Sequence, residues 1–267
     1  RSDGDVKNTK DYAIRIRTEI PDYSMYPEPR MEWDRTVYKG AREEIAEDIP
    51  KPKGKPVVLT TYVDANLYHD MVTGRALTAV LHLINQTPFD WFCKRQSTCE
   101  TATYSSELVA AKTAVEQIQD IRITLRYLGV PIIGKTMMFG DNESVVTNTT
   151  VPHSQLKKRH QALAFHRVRE AVASDMVGFY HIPGDKNPAD ILSKHWGFQQ
   201  VWWQLKTLLY WSGDTSDIKE EATVRKVQSH VRIGGEYHNP IHAGSSVAYL
   251  RSTPIPRSVW ILEFSCN

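Results

Sequence analysis

The chain has 267 residues, 41% hydrophobic and 24% charged, which is enough to bury an ordinary core in one or two domains. Its formal charge of +2 excludes a uniformly basic arm, so any nucleic-acid-binding surface has to be local. The three cysteines, Cys93, Cys99 and Cys266, are odd in number and lack metal-ligand spacing, which argues against a disulfide framework and a structural zinc site.

The chain opens at Arg1 without a methionine, which suggests a piece of something longer. Residues 1–55 are charged and irregular, with Pro21, Pro27, Pro29, Pro50 and Pro52 removing donors and restricting their neighbours. They are expected to form a linker with a short helix near 41–48. Val57–Val63 is a short, β-branched apolar run that predicts a buried strand. Two further strands are expected at Ala76–Ile84 and Phe89–Lys94, punctuated by turn-rich stretches in the manner of an antiparallel meander.

From Thr101 to Leu128 the period lengthens, and Tyr104, Leu108, Ala111, Val115 and Ile118 share one helical face. Ser97 with Glu100 resembles a capping box, and Gly129-Val130-Pro131 is a stop signal. A strand follows at Thr136–Phe139, then a short helix after Asp141 and a helix over Lys157–Ser174. Strand Val177–Ile182 precedes a last helix opening at Asn187-Pro188. The order predicts an α/β (α+β) fold, a mixed sheet flanked by helices, over residues 56–198. An aromatic-rich packing helix is expected at 199–215, and an irregular tail at 216–267.

Four carboxylates lie at the joints of this pattern. Asp64 ends the first strand and Asp141 a later one; Glu107 lies in the first turns of the long helix and Asp190 at the third position of the last. Singly, each has an ordinary explanation as a turn residue, a dipole partner or a solvated face. Glu107 is the least ordinary, because Ser105, Ser106, Ala110, Ala111 and Ala114 let its helix lie close to the sheet. Gathered in one cleft, four carboxylates would repel and call for divalent metal, which favours oxygen ligands.

The strings YVDAN, KRQSTCETATYSSELVAA, FGDNESVV, KKRHQALAFHRVREAV and NPADILSKHWG resemble the ribonuclease H domain that follows reverse transcriptase in copia-type retrotransposon polyproteins. The resemblance implies a ribonuclease H-like fold with a five-stranded sheet. It implies hydrolysis of the RNA strand of RNA–DNA hybrids, leaving a 5′-phosphate and a 3′-hydroxyl. It also implies two Mg²⁺ ions, or Mn²⁺, held by Asp64, Glu107, Asp141 and Asp190, and a reverse transcriptase partner upstream. One departure is Asn66, where many relatives carry a second Asp.

For the hybrid, Lys157, Lys158, Arg159, Arg167 and Arg169 form a basic stripe suited to phosphates. Ser105, Ser106 and Asn142 are candidates for sensing 2′-hydroxyls. His181 is a candidate for proton shuttling or product release, whereas His166, beside Phe165 and Val168, reads as a packed core histidine. No apolar run approaches the roughly 20 residues of a membrane span and no signal peptide opens the chain, so an intracellular protein, in a cytoplasmic virus-like particle, is expected. Two rivals stand beside this reading. A strand-transferring integrase fits poorly, because the late-helix carboxylate after Asp141 is Asp190, Glu170 sits inside the basic helix, and no zinc-binding arm precedes the domain. A non-catalytic connector of a decayed element stays open.

Overall fold

The computed structural model describes residues 12–26, 32–156, 158–194 and 204–211. They fall into two units, residues 18–26, 32–156 and 158–194 in one, and residues 12–17 with 204–211 in the other. In the smaller unit, strand Tyr12–Ile14 pairs antiparallel with Leu209–Trp211. Of the packing helix expected at 199–215, residues 204–208 are helical and the chain then turns into that strand; the rest, and the tail at 216–267, lie outside the described residues.

The larger unit is built on five strands: β1 (Leu59–Asp70), β2 (Arg75–Ile84), β3 (Thr87–Arg95), β4 (Thr136–Gly140) and β5 (Val177–His181). Their order across the sheet is β3-β2-β1-β4-β5. The first three form an antiparallel meander, while β4 and β5 run parallel to β1. Helix α1 (Thr103–Tyr127) joins β3 to β4, α2 (Glu143–Thr150) and α3 (Ala162–Ala173) join β4 to β5, and the short α4 (Asp190–Ser193) follows. The expected order of elements holds, and the sheet is mixed and flanked by helices.

Why this sequence makes this sheet is plain at β4. Met138 faces the main core, with Val63, Val80, Leu108, Val115, Phe165 and Val168, while its neighbours Met137 and Phe139 face the other way. A strand buried on both faces needs no polar alternation. On α1, Ala110, Ala111 and Ala114 are fully buried, so the helix approaches the sheet closely. Gly129 ends it in the left-handed region at φ 72°, with its N–H on the Arg126 carbonyl.

Three local expectations come out differently. The first strand runs on to Asp70, so Asp64 lies within it. The parallel register with β4 reaches Tyr62 and Phe139, whereas the antiparallel one with β2 continues through Asp64 and Ala79. The capping box does not form, because Ala102 occupies the N-cap of α1 and the Glu100 carboxylate accepts from Thr98 and Gln161 instead. The helix expected from Lys157 opens at Ala162, after a 3₁₀ turn at Arg159–Gln161.

The stretch expected to be a linker is fastened to the sheet and to α1. Tyr23 and Tyr26 cover the face of Phe139, with the Tyr23 hydroxyl 2.6 Å from Thr60 Oγ1. Trp33 and Tyr38 lie over the Arg169 guanidinium, at 4.9 and 5.3 Å. Glu43 takes bidentate hydrogen bonds from both Arg122 and Arg126 at 2.6–2.8 Å. No helix forms at 41–48.

Candidate active site

Asp64 of β1, Glu107 of α1 and Asp141, the residue after β4, each offer a carboxylate oxygen, and these oxygens lie within 4.8 Å of one another. The sheet explains the meeting. β1 and β4 are hydrogen-bonded neighbours running the same way, so residues just past their shared register emerge side by side. The alanine face of α1 brings Glu107 down onto that edge, where its carboxylate accepts from the Ala65 N–H.

Asp190 is close enough to raise the proton affinity of Asp64 and Asp141, yet it lies outside the tight trio. Its loop is held by Asn187, which donates to the Val63 carbonyl at 2.9 Å and accepts from the Ala189 N–H at 3.1 Å. Asn187 braces the turn before the helix, but the N-cap of α4 is Ala189 and Asp190 is its first residue rather than its third.

Burial dominates the electrostatics. It pushes the Asp64 carboxyl up to about 7, with Asp190 and Asp141 adding to the rise and Ser193 and Lys194 opposing it. Burial, then the charges of Asp64 and Asp141, hold Glu107 well above the usual carboxylate range. Asp141 is raised for the same reason, burial first and Asp190 next. Like charges brought together out of water are the arrangement a cation relieves. The donor set is all oxygen and suits a hard divalent ion.

Several residues of the site were not singled out in the sequence. The Ser193 hydroxyl donates to the Asp64 carboxylate, and Lys194 Nζ lies 2.6 Å from Asp190 and 4.0 Å from Asp64. Both follow Asp190 within one helical turn, and that spacing was the available signal. Gly184 lies against Asp141, where a Cβ would come 3.1 Å from its Oδ2. Asn66, the departure from the family pattern, donates to the Ser193 carbonyl at 3.0 Å and so ties β1 to α4.

His181 is exposed at the rim, its Nε2 3.1 Å from the Asp141 carbonyl oxygen. Asn142 caps α2 through its side chain, accepting from the Val145 N–H at 3.2 Å. Ser105 and Ser106 are fully buried; Ser106 donates to the Thr103 carbonyl, and Ser105 accepts from Lys158 at 3.2 Å.

The basic stripe separates into different roles. Lys158 and Arg159 keep access to solvent, and Lys157 lies outside the described residues. Arg167 pairs with Glu170 at 3.2 Å and donates to Gln119. Arg169 is 2% exposed and donates to the carbonyls of Asn148, Val151 and Pro152, so the expected phosphate contact gives way to a structural one. Charge clustering along a sequence does not say which side of the helix a cation occupies. His166 is likewise no core residue: it is exposed, with Nδ1 2.6 Å from the Tyr38 hydroxyl.

A five-stranded mixed sheet in this order, with its acidic edge beside the switch from antiparallel to parallel pairing, is a ribonuclease H-like fold. The curated relatives are retrovirus-related Pol polyproteins of plant transposons. The one from transposon TNT 1-94 of Nicotiana tabacum is 23% identical over 141 residues, and the one from RE2 of Arabidopsis thaliana is 22% identical over 142. Each match covers 53% of this chain and 10% of the relative, so the chain spans about a tenth of those polyproteins.

Among solved structures, the chain is similar to LC11-RNase H1 in complex with RNA/DNA hybrid, at 17% identity and a TM-score of 0.39, covering 48% of this chain and 88% of that one. It is also similar to the N-terminal RNase H domain of a Mycobacterium tuberculosis protein, at 11% identity and a TM-score of 0.40, covering 57% and 98%. No protein-family model matches. Among the described residues no helix is long and apolar enough to cross a membrane.

Proposed function

We propose that this domain is a metal-dependent ribonuclease H that hydrolyses the RNA strand of an RNA–DNA hybrid. The observation that carries the reading is the convergence of Asp64, Glu107 and Asp141, from β1, α1 and the end of β4, into one oxygen cluster in which the first two are buried and the third is half-buried. Asp190 stands at its edge as the fourth ligand, and two Mg²⁺ or Mn²⁺ ions are the proposed occupants. When bound, such ions acidify a water and neutralise charge on a phosphodiester.

The chain's own groups do the rest. Asp64, Glu107 and Asp141 hold their oxygens in fixed register, and Ser193 orients the Asp64 carboxylate. Lys158 and Arg159 offer cations to the hybrid backbone, where contacts are independent of sequence. Asn142, beside Asp141, is placed to meet a 2′-hydroxyl, and His181 to move a proton at the rim or to help product leave. The products would carry a 5′-phosphate and a 3′-hydroxyl. In the life of a transposon the reaction removes template RNA after first-strand synthesis, next to an upstream reverse transcriptase and within a virus-like particle.

The test is cleavage of a labelled RNA–DNA hybrid in Mg²⁺, Mn²⁺ and chelator, beside Asp141→Asn. Metal-dependent cutting of the RNA strand alone, lost in the variant, supports the reading. A folded wild-type protein that binds hybrid and never cuts under either metal sinks it in favour of a connector domain.

A further inference from the structure

The acidic cluster and Asp190 repel one another in the absence of metal, and the fold supplies a partial answer. Lys194 stands four residues after Asp190, the acid-before-base order that suits a helical pair, and its backbone N–H bonds the Asp190 carbonyl at 3.1 Å. Its ammonium reaches Asp190 Oδ1 at 2.6 Å and comes within 4.0 Å of Asp64 Oδ2. The side chains differ sharply in exposure: 1% for Asp64 and 8% for Asp190, but 37% for Lys194. The carboxylates are fixed in the interior, while the lysine holds them from the solvent side on a flexible stem with a way out.

We propose that Lys194 is a built-in counter-ion of this site, which steadies the carboxylates in the metal-free protein and yields Asp190 and Asp64 when a divalent cation enters. The inference rests on the metal-binding reading above and deepens it. A divalent ion brings two positive charges to oxygens that the ammonium already attends. The two cations repel at such distances, so the lysine has to withdraw and in doing so weakens metal uptake. A lysine suits the role because it is a compact point charge on a rotatable stem, without the bidentate grip of an arginine. Lys194 is therefore a positioning residue that sets how much free metal the site requires.

The experiment is calorimetric titration of the full chain with MgCl₂ and MnCl₂ at pH 8, together with thermal unfolding in chelator. Lys194→Met removes the charge and keeps the stem. It is expected to tighten metal binding by about tenfold, the order of a single charge interaction partly screened by water, and to lower the melting temperature in chelator. Lys194→Arg is expected to restore the stability in chelator. Should the methionine variant not fold, Lys194→Gln reads the same affinity. Unchanged or weaker metal binding in the neutral variant, or unchanged stability in chelator, overturns the counter-ion. In that case a wild type that still binds metal leaves the nuclease reading standing. A wild type that takes up neither ion overturns both.

Discussion

Helix α1 carries a largely enclosed group of charges toward each end, and the two are opposites. Near its start Glu107 meets Asp64 and Asp141, three like charges from three elements. Near its finish Arg122 and Arg126 close on Glu43, a carboxylate between two guanidiniums. Roughly 22 Å of helix separates them at the usual rise per residue. At the first end burial and neighbouring acids drive Asp64 up to about 7. At the second, burial alone would raise Glu43 too, but the two arginines outweigh it and hold it down at about 2. The anchor is complete within the chain and fixes the stretch around Glu43 to α1. On the proposed reading, the acidic end is completed by a cation from outside.

The largest expected effect is on chemistry. Asp141→Asn should abolish metal-dependent cutting of the RNA strand and leave hybrid binding nearly intact. The same change removes a like charge, so it should raise the melting temperature in chelator at pH 8. A variant that loses activity because it loses stability would make the Asp141 carboxylate part of the scaffold, like Glu43, and not a strained group.

At the anchor the sign reverses. Glu43→Gln leaves two guanidiniums without their carboxylate, one of them, Arg122, 3% exposed. Breaking a buried pair by removing one partner costs about 3–5 kcal/mol, which lowers the melting temperature of a domain of this size by roughly 10 °C. Denaturant or thermal unfolding measures it. A loss near zero would mean that residues 18–55 are a tether rather than part of the fold.

The acidic end was legible in the sequence because its chemistry is local. Each carboxylate sits in its own short motif in or beside a periodic element, and the order of elements fixes which of them meet. The anchor was not legible. Glu43 lies 79 residues from Arg122, and Tyr38 lies 128 from His166, in a stretch with neither helical nor strand period. Its contacts are side chains reaching across the fold, which no local pattern encodes. Arg169 stood between these cases. It follows Phe165 by four residues, so the buried face of α3 that takes one takes the other, but counting charges along the stripe hid that phase.

The two ends also differ in how they respond to acid. Unfolded carboxyls titrate near 4. Asp64, Glu107 and Asp141 have raised values when folded, so above about pH 4 the folded protein holds protons that the unfolded chain has lost, Asp64 until about pH 7. Their contribution to stability is full below about pH 4 and declines as the pH rises through 7. Glu43 is lowered, so its contribution is full above about pH 4 and is lost as the pH falls toward 2. In chelator the melting temperature should therefore peak in mild acid and fall on both sides, and saturating Mg²⁺ should flatten the alkaline limb alone. A melting temperature that keeps rising to pH 8 in chelator would remove the acidic end from the account.

The smallest effect separates cations in the same way as carboxylates. Lys158 touches Ser105 beside the site and keeps solvent access, whereas Arg169 is enclosed by Trp33, Tyr38 and Phe165 and spends its donors on carbonyls. If Lys158 meets a phosphate, Lys158→Ala weakens hybrid binding a few-fold for every sequence. It then reduces the slope of log affinity against log salt by about one, the release of one counter-ion, and leaves the melting temperature where it was. Arg169→Ala should do the reverse, lowering stability with no change in the slope for the protein that remains folded. A slope that falls in the Arg169 variant and not in the Lys158 variant would mean that the hybrid lies over Trp33 and Tyr38, which cover Arg169, and not beside Ser105.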